Sequence, residues 1–411
     1  MSASEFTPAT QTELSRFVAE NAQGERRTLC PVGGRTALHY GFSAPAPGTQ
    51  IAMASLGRVV DYPARDMTVT VEAGIRMDAL QATLASERQR LPIDVAQPER
   101  ATLGGALATN TSGPRRFGHG TFRDYVIGIS AVDAAGRLFK AGGRVVKNVA
   151  GYDICKLLVG SRGTLGIVTQ VTLKLRPLPE TSAQFWMTID SFREIETRLE
   201  SLLTSQTRPV AIEVLNPMAS ALIAASARCD LPVNAPVLCV GVEGSQREVE
   251  WQLDALSQEL TSTGVQEYRA IRGHDAERVW EALTEFQTCA DDPLTFEANL
   301  RPSQCMSFAE RATELGVAVQ VHAGNGLVVG QLPEEAATIE QATAILRDLR
   351  SIACLHGGNL VVLHCDPEWK SRMPMCGDLE PSWALMKQLK QKLDPDGLLN
   401  PGRFVDGAVM N

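Results

Sequence analysis

Three glycine-rich strings hold most of this sequence's capacity for chemistry. Cys30–Leu38 reads CPVGGRTAL. Pro31 fixes the entry, and adjacent Gly33 and Gly34 expose consecutive backbone N–H groups with no Cβ in the way. Such a run can form a concave anion site, a nest for a diphosphate. Ala101–Gly113 reads ATLGGALATNTSG, small residues for over a dozen positions. The hydroxyls of Thr102, Thr109, Thr111 and Ser112 and the amide of Asn110 supply short polar arms there. Gly160–Thr169 reads GSRGTLGIVT, a glycine turn leading into a strand. Taken singly, each string has a plainer alternative: a tight turn, a loop buried against a helix, a structural turn. GxGxxG after a strand and GxxxxGK[ST] are both absent, so neither the common dinucleotide fold nor the nucleotide-triphosphate loop is supported.

These strings sit in a chain of 411 residues, enough for two or three domains. Of its 34 glycines, 13 fall between Ala101 and Gln170, more than twice an even share, which marks backbone that turns sharply or approaches a ligand. The net charge of −8 gives no bulk attraction to nucleic acid or anionic lipid, so an acidic substrate needs local positive charge or aimed N–H groups. The nine cysteines are scattered without a CxxC pair. An iron–sulfur cluster needs grouped thiolates, so none is expected, and the thiols read as core residues of a reducing compartment. No apolar run approaches a membrane span, and the N-terminus lacks a basic start followed by an apolar stretch. A cytoplasmic location follows as the expectation.

The elements that must position the strings are legible in part. Met67–Glu72 alternates as a strand, and Met77, Leu80 and Leu84 share the face of the helix that follows. Tyr125–Asp133, Arg137–Lys140 and Ile167–Leu175 read as further strands. RPLPE at Arg176–Glu180 marks the main boundary. Beyond it come helix Phe192–Leu203, strand Val210–Leu215, strand Val237–Val242, helix Gln246–Leu260 and helix Ala276–Phe286. Strand Leu294–Leu300, helix Ser303–Leu315, strands Val317–His322 and Leu327–Gln331, helix Glu335–Ala353 and strand Leu360–His364 complete the reading. The order suits an α+β sandwich, one sheet with helices on one face.

In their order, and spaced roughly 70 and 60 residues apart, the three strings together resemble the FAD-binding half of the vanillyl-alcohol oxidase or p-cresol methylhydroxylase family. The likeness continues through Arg116–Gly128 (RFGHGTFRDYVIG) and Lys147–Leu158 (KNVAGYDICKLL), and returns in Leu393–Phe404 (LDPDGLLNPGRF). It implies an α+β fold with a two-subdomain FAD-binding region over 1–178. An α+β, ferredoxin-like cap would span 179–392, and a tail over 393–411 would return to the FAD domain. It also implies the contacts. Val32, Gly33, Gly34, Arg35, Thr36, Ala37 and Leu38 would carry the pyrophosphate through their N–H groups. Thr102, Leu103, Gly104, Gly105, Asn110, Ser112 and Gly113 would line the flavin and adenine channel, followed by Gly118 and Thr121. Gly163, Gly166 and Ile167 would contact the adenosine side. Asn400 would reach back toward the isoalloxazine, the plainer alternative for Asn400-Pro401-Gly402 being a chain-terminating turn.

The sequence also departs from its relatives. Many of them bind flavin through a histidine in or near the first loop, whereas Arg35 and Thr36 stand here and His39 lies beyond the glycines. Non-covalent FAD is therefore expected. The 2-hydroxy-acid dehydrogenases of the family carry HxGDGNxH and EHGIG, whose histidines and carboxylate suit a divalent cation that polarises the substrate hydroxyl. His322–Gly330 reads HAGNGLVVG, with Asn325 in place of the acid and Val328 or Val329 in place of the second histidine. No glutamate precedes His356. No metal is expected, the alternative being a different site built from His322, His356, His364, Cys354 and Cys365. This pattern, with WEALTEF at Trp280–Phe286, resembles the FAD-binding subunits of glycolate-oxidising complexes. It implies a homologous FAD-linked catalytic subunit and an iron–sulfur subunit as partners, with a small 2-hydroxy acid as substrate and no catalytic residue assigned in this chain. An autonomous flavin dehydrogenase and a structural subunit with an empty cofactor site are the alternatives. Because no histidine or cysteine lies within GGRTAL, denaturing the purified protein should release its FAD into solution; flavin fluorescence retained on the denatured polypeptide would show otherwise.

Overall fold

The computed structural model describes residues 4–42, 48–143, 153–261, 267–288, 293–336, 338–355, 357–377 and 380–403. Much of the KNVAGYDICKLL string, His356 and Phe404 lie outside the described residues. The chain forms two compact units. One comprises Met1–Ser112, Gly120–Leu178 and Leu379–Asn411, the other Gly113–His119 and Pro179–Asp378.

The first unit is built from ten strands. They are β1 (Glu5–Phe6), β2 (Leu29–Val32), β3 (Thr49–Ala52), β4 (Val59–Asp61), β5 (Thr68–Glu72), β6 (Gln89–Arg90), β7 (Val126–Val132), β8 (Leu138–Gly142), β9 (Ile167–Lys174) and β10 (Arg176–Pro177). Alternating sequence makes β9 a half-buried strand, every second residue of IVTQVTLK turned inward. It sits at the centre of an antiparallel sheet in the order β4-β5-β9-β7-β8. Val69, Val71, Val171 and Leu173 from this sheet pack on Leu80 and Leu84 of helix Met77–Ala85 and on Leu103 and Leu107. A second, parallel sheet runs β1-β3-β2, and its Leu29 and Ile51 share a core with Leu14, Val18, Ile167 and Leu399. Two expectations shift here. Tyr125 ends a one-turn helix, Phe122–Tyr125, because a reciprocal cap between Thr121 and Asp124 winds the chain before the strand begins. The small-residue string is itself a short helix, Leu103–Thr109, capped by Thr102 and closed by Asn110 in the left-handed region.

A buried ion pair closes this unit. Lys390, on the helix Ser382–Leu393, is 7% exposed and Asp394 2%. Lys390 Nζ donates to Asp394 Oδ2 at 2.5 Å, to Thr164 O at 2.7 Å and to Leu399 O at 3.0 Å, so all three of its hydrogens are placed. Asp394 in turn accepts the amides of Leu398 (2.9 Å) and Leu399 (2.8 Å).

The second unit carries an eight-stranded sheet. Its strands are β11 (Thr181–Thr188), β12 (Ala211–Leu215), β13 (Val237–Gly244), β14 (Glu267–Arg272), β15 (Leu294–Asn299), β16 (Ala318–His322), β17 (Leu327–Gln331) and β18 (Asn359–Cys365). The order is β14-β11-β13-β12-β16-β17-β15-β18, and every pair is antiparallel. Strands β11 to β14 follow the 4-1-3-2 order of a ferredoxin-like βαββαβ unit, and β15 to β18 repeat it in mirror order. The two halves join where β12 pairs with β16. Helices Phe192–Leu203, Gln246–Leu260, Cys305–Glu314 and Ile339–Cys354 are the crossover helices of the two repeats. Two more, Pro217–Ala227 and Gly273–Glu285, pack with Trp186, Ala211, Leu215, Val237 and Cys239. The intervening residues of β12 and β13 are buried as well, so the sheet is covered on both faces. The expectation of helices on one face is thereby corrected. Helix Pro217–Ala227 (PMASALIAASA) is apolar or small all round and shows no helical periodicity; its surviving signals are Asn216 at the cap and Pro217 in the first turn.

Replacing Lys390 by Met strands the Asp394 carboxylate in the interior, which should cost about 3–5 kcal/mol. Chemical denaturation monitored on the first unit should show that loss. Adding Asp394→Asn should restore a substantial part of it by removing the unpaired charge.

Candidate cofactor-binding site

The CPVGGRTAL string leaves β2 at Val32 and passes directly over the residues before helix Leu103–Thr109. A Cβ on Gly33 would lie 2.0 Å from Thr102 Oγ1, and one on Gly34 would lie 1.7 Å from the carbonyl oxygen of Arg100. Both glycines are therefore fixed by close approach. At Arg35 the backbone turns through the left-handed region, φ 61°. Its guanidinium leads away to Gln50 Oε1 (2.9 Å) and Glu5 Oε2 (3.1 Å). Among the described residues, the amides of Gly34, Arg35, Thr36, Ala37 and Leu38 donate to no protein acceptor. Five consecutive unspent donors form the kind of cradle that suits an anion.

These residues border a cavity open to solvent on one side. Of the residues expected to hold the cofactor, fourteen line it together: Val32, Gly33, Gly34, Arg35, Thr36, Ala37, Leu38, Thr102, Gly104, Gly105, Gly163, Gly166, Ile167 and Asn400. Gly163 is left-handed, φ 67°, where it passes Pro31, and a Cβ there would stand 3.0 Å from the Pro31 ring. Asn400 binds the site together: its amide donates to Leu29 O at 2.8 Å and its Nδ2 to Arg162 O at 2.7 Å.

Other expected residues are placed elsewhere. Leu103 is fully buried in the core of the first unit, with its side chain turned from the cavity. Asn110 and Ser112 lie outside the lining, yet Asn110 Oδ1 and Ser112 Oγ are buried with no hydrogen-bond partner, polar atoms that a bound group could satisfy. Gly113 and Gly118 belong to the second unit. Gly118 is there to let the chain approach β12, since a Cβ would stand 2.7 Å from Val210 Cα and its amide donates to Val210 O at 3.0 Å. Thr121 caps its one-turn helix. Neither residue lines the cavity, and each has a structural role in its own unit. His39 is absent from the lining.

Sequence reasoning passed over two cations inside strings it had quoted. Arg162 and Arg403 both line the cavity. Arg403 donates through Nη1 to Tyr40 O. Burial pulls its guanidinium below the ordinary arginine value, with the nearby Cys30 thiol opposing and Arg162 adding to the shift. The available signal was a basic residue beside each glycine turn.

In the second unit His322 is buried and its Nδ1 lies 2.8 Å from Glu213 Oε1, while Gln320 Nε2 donates to Glu213 Oε2 at 2.8 Å. Glu213 was also passed over; a lone acid inside the apolar strand AIEVL was its mark. Among the described residues no group of three His, Cys, Asp or Glu side chains is placed to hold a metal ion. Nor is any helix among them long and apolar enough to cross a membrane.

Comparison with known proteins identifies the family. Residues 3–142 match the family described as FAD binding domain, and residues 178–404 match FAD linked oxidases, C-terminal domain. The chain belongs to the FAD-linked oxidase family. It is an FAD-dependent oxidoreductase, and its fold is that of the p-cresol methylhydroxylase group. Glycolate oxidase subunit GlcD of Bacillus subtilis is 26% identical over 421 residues, covering 97% of this chain and 88% of that protein. Glycolate oxidase subunit GlcE of Escherichia coli is 37% identical over 139 residues, covering 34% of this chain and 40% of that one. A crystal structure of p-cresol methylhydroxylase with substrate bound superposes with a TM-score of 0.74 at 16% identity, over 97% of this chain and 88% of that one.

The two glycines of the first loop should respond differently to alanine. Gly33→Ala meets a side-chain hydroxyl, so its loss of bound FAD should be partly reversed by Thr102→Ala. Gly34→Ala meets backbone at Arg100, which no side-chain change relieves. Absorbance near 450 nm per chain after gel filtration measures both.

Proposed function

We propose that this FAD-linked oxidoreductase is a flavin-bearing subunit of a complex that oxidises a small 2-hydroxy acid, glycolate, to glyoxylate. In this reading FAD occupies the cavity of the first unit. The amides of Gly34 to Leu38 bind its diphosphate, and the orphaned Asn110 and Ser112 atoms find partners in its remaining polar groups. When bound, FAD supplies two-electron redox chemistry, while the protein supplies position and polarity. Residues 1–178 with the tail from 393 would form the cofactor domain, and 179–392 the cap.

The observation that carries the accessory role is the state of the HAGNG string. His322 is engaged by the buried Glu213, and among the described residues no group of three His, Cys, Asp or Glu side chains is placed to hold a cation that would polarise a substrate hydroxyl. Two relatives bear the names of different glycolate oxidase subunits, and another is named D-2-hydroxyglutarate dehydrogenase. A 2-hydroxy acid is the substrate class these names share. The partners would be a homologous FAD-linked subunit carrying the acid–base groups and an iron–sulfur subunit taking the electrons onward. The assembly would be cytoplasmic, held peripherally at the inner membrane.

Purified alone, the chain should be yellow and should fail to reduce a dye with glycolate; the reconstituted complex should reduce it. His322→Gln, which keeps a hydrogen bond to Glu213, should leave the complex with most of its rate. A loss of about a thousandfold with flavin intact, equivalent to ~4 kcal/mol of transition-state stabilisation, would place the oxidation site in this chain and overturn the accessory role.

A further inference from the structure

Charge is distributed unevenly around the cavity. Its lining holds Arg35, Arg162 and Arg403 and no aspartate or glutamate, although the whole chain carries −8. Arg35 is neutralised outside the cavity by Glu5. Arg162 and Arg403 have no carboxylate partner among the described residues, the guanidinium of Arg403 reaching only the Tyr40 carbonyl. The two lie close together. An atom placed at the Cβ position of Gly41 would stand 3.5 Å from Arg403 Cα and 3.6 Å from Arg162 Nη1. Asn400 orients both, since its Nδ2 holds Arg162 O at 2.7 Å and its carbonyl accepts the Arg403 amide at 3.3 Å.

Two arginines of one cavity wall, without a carboxylate partner among the described residues and beside five unspent amides, form an arrangement that is costly without an anion. Like charges in a partly desolvated site repel, and burial already disfavours the charged form of Arg403. Planar guanidinium groups pair with phosphate oxygens through two parallel hydrogen bonds each, so two of them suit the two linked phosphates of a diphosphate better than a single phosphate, which offers one tetrahedral group to share.

We propose that Arg403, delivered by the chain's tail, and Arg162, from the glycine turn, form a cation pair that reads the diphosphate of the bound nucleotide. They make the cavity selective for diphosphate-bridged dinucleotides and nucleoside diphosphates over monophosphates. The inference rests on the reading that FAD occupies this cavity. Its consequence is that the flavin-free chain binds ADP as a competitor of FAD, with the tail supplying part of the affinity.

The test uses the full chain stripped of flavin, with dissociation constants for FAD, ADP, AMP and FMN measured by titration calorimetry and thermal unfolding recorded alongside. Wild type should bind ADP at least about tenfold more tightly than AMP. Arg403→Gln and Arg162→Gln should each weaken FAD and ADP about ten- to a hundredfold while leaving AMP and FMN within about twofold, losses of the size expected for a charge-assisted contact. Arg403→Lys should recover part of the loss. Without ligand, Arg403→Gln should melt no lower than wild type, because it removes a repulsion. Unchanged ADP affinity in both glutamine variants, or AMP affinity falling in step with ADP, would overturn the cation pair. So would a lowered melting point of ligand-free Arg403→Gln together with full ADP affinity in Arg162→Gln, since Arg403 would then be a structural residue. If wild type binds neither FAD nor ADP, it is the assignment of FAD to this cavity that fails.

Discussion

The candidate cofactor site depends on a charge buried far from it in sequence. Lys390 gives one hydrogen to Asp394, one to the carbonyl of Thr164 in the glycine turn, and one to the carbonyl of Leu399 in the tail. An apolar side chain of the same length would leave two carbonyls and a carboxylate without partners in the interior, each at the cost of its lost hydration. From that anchor the tail runs beside β2, Leu399 bridging to Leu29, whose amide donates to Leu398 O and whose carbonyl accepts the Asn400 amide. Strand β2 then emits the loop whose amides face the cavity. Three strings separated by more than a hundred residues each are thus held by one ion pair and the hydrogen bonds that extend from it.

The same geometry explains why the first loop needs two glycines. The obstacle to a side chain at Gly33 or Gly34 is the chain at Arg100 and Thr102, which crosses within contact distance. Close approach of two backbones brings the amide run and the start of the following helix onto one cavity wall. Neither glycine needs a left-handed backbone; that conformation falls on Arg35, whose side chain is held by Glu5 and Gln50. The anion cradle is therefore a by-product of packing that the protein's own residues already enforce, and it exists before any ligand arrives.

How much of this could be read from the sequence varied with the physics behind each residue. Helix Gln246–Leu260 was legible to the residue because an apolar stripe is framed by a reciprocal Ser245–Glu248 cap. Helix Pro217–Ala227 was not, because its exposed face (Ala221, Leu222, Ala225, Ser226) is as small and apolar as its buried one, which erases the periodicity that marks a surface helix. Strand Thr181–Thr188 was hidden for a similar reason, its last six residues being buried regardless of parity. Within the site, the glycines stood out by type, but Arg162 and Arg403 are ordinary residues whose meaning comes from convergence across 241 positions of chain. Gly118 and Thr121 carry a structural reading besides the one the resemblance implies. They lie in a string that resembles the family, yet close packing on Val210 and helix capping account for them.

The HAGNG string has a similar structural account. Its residues form the hairpin between β16 and β17, the Asn325 amide returning to His322 O at 2.9 Å. Gly326 is left-handed, φ 69°, and a Cβ there would stand 2.1 Å from Leu300 O; one on Gly324 would stand 2.2 Å from the Phe117 ring. The glycines are thus demanded by the turn and by Phe117, and the histidine by Glu213 across the seam where the two ferredoxin-like repeats meet. Asn325 needs only its backbone for this role, so an acid at that position could be lost without disturbing the hairpin.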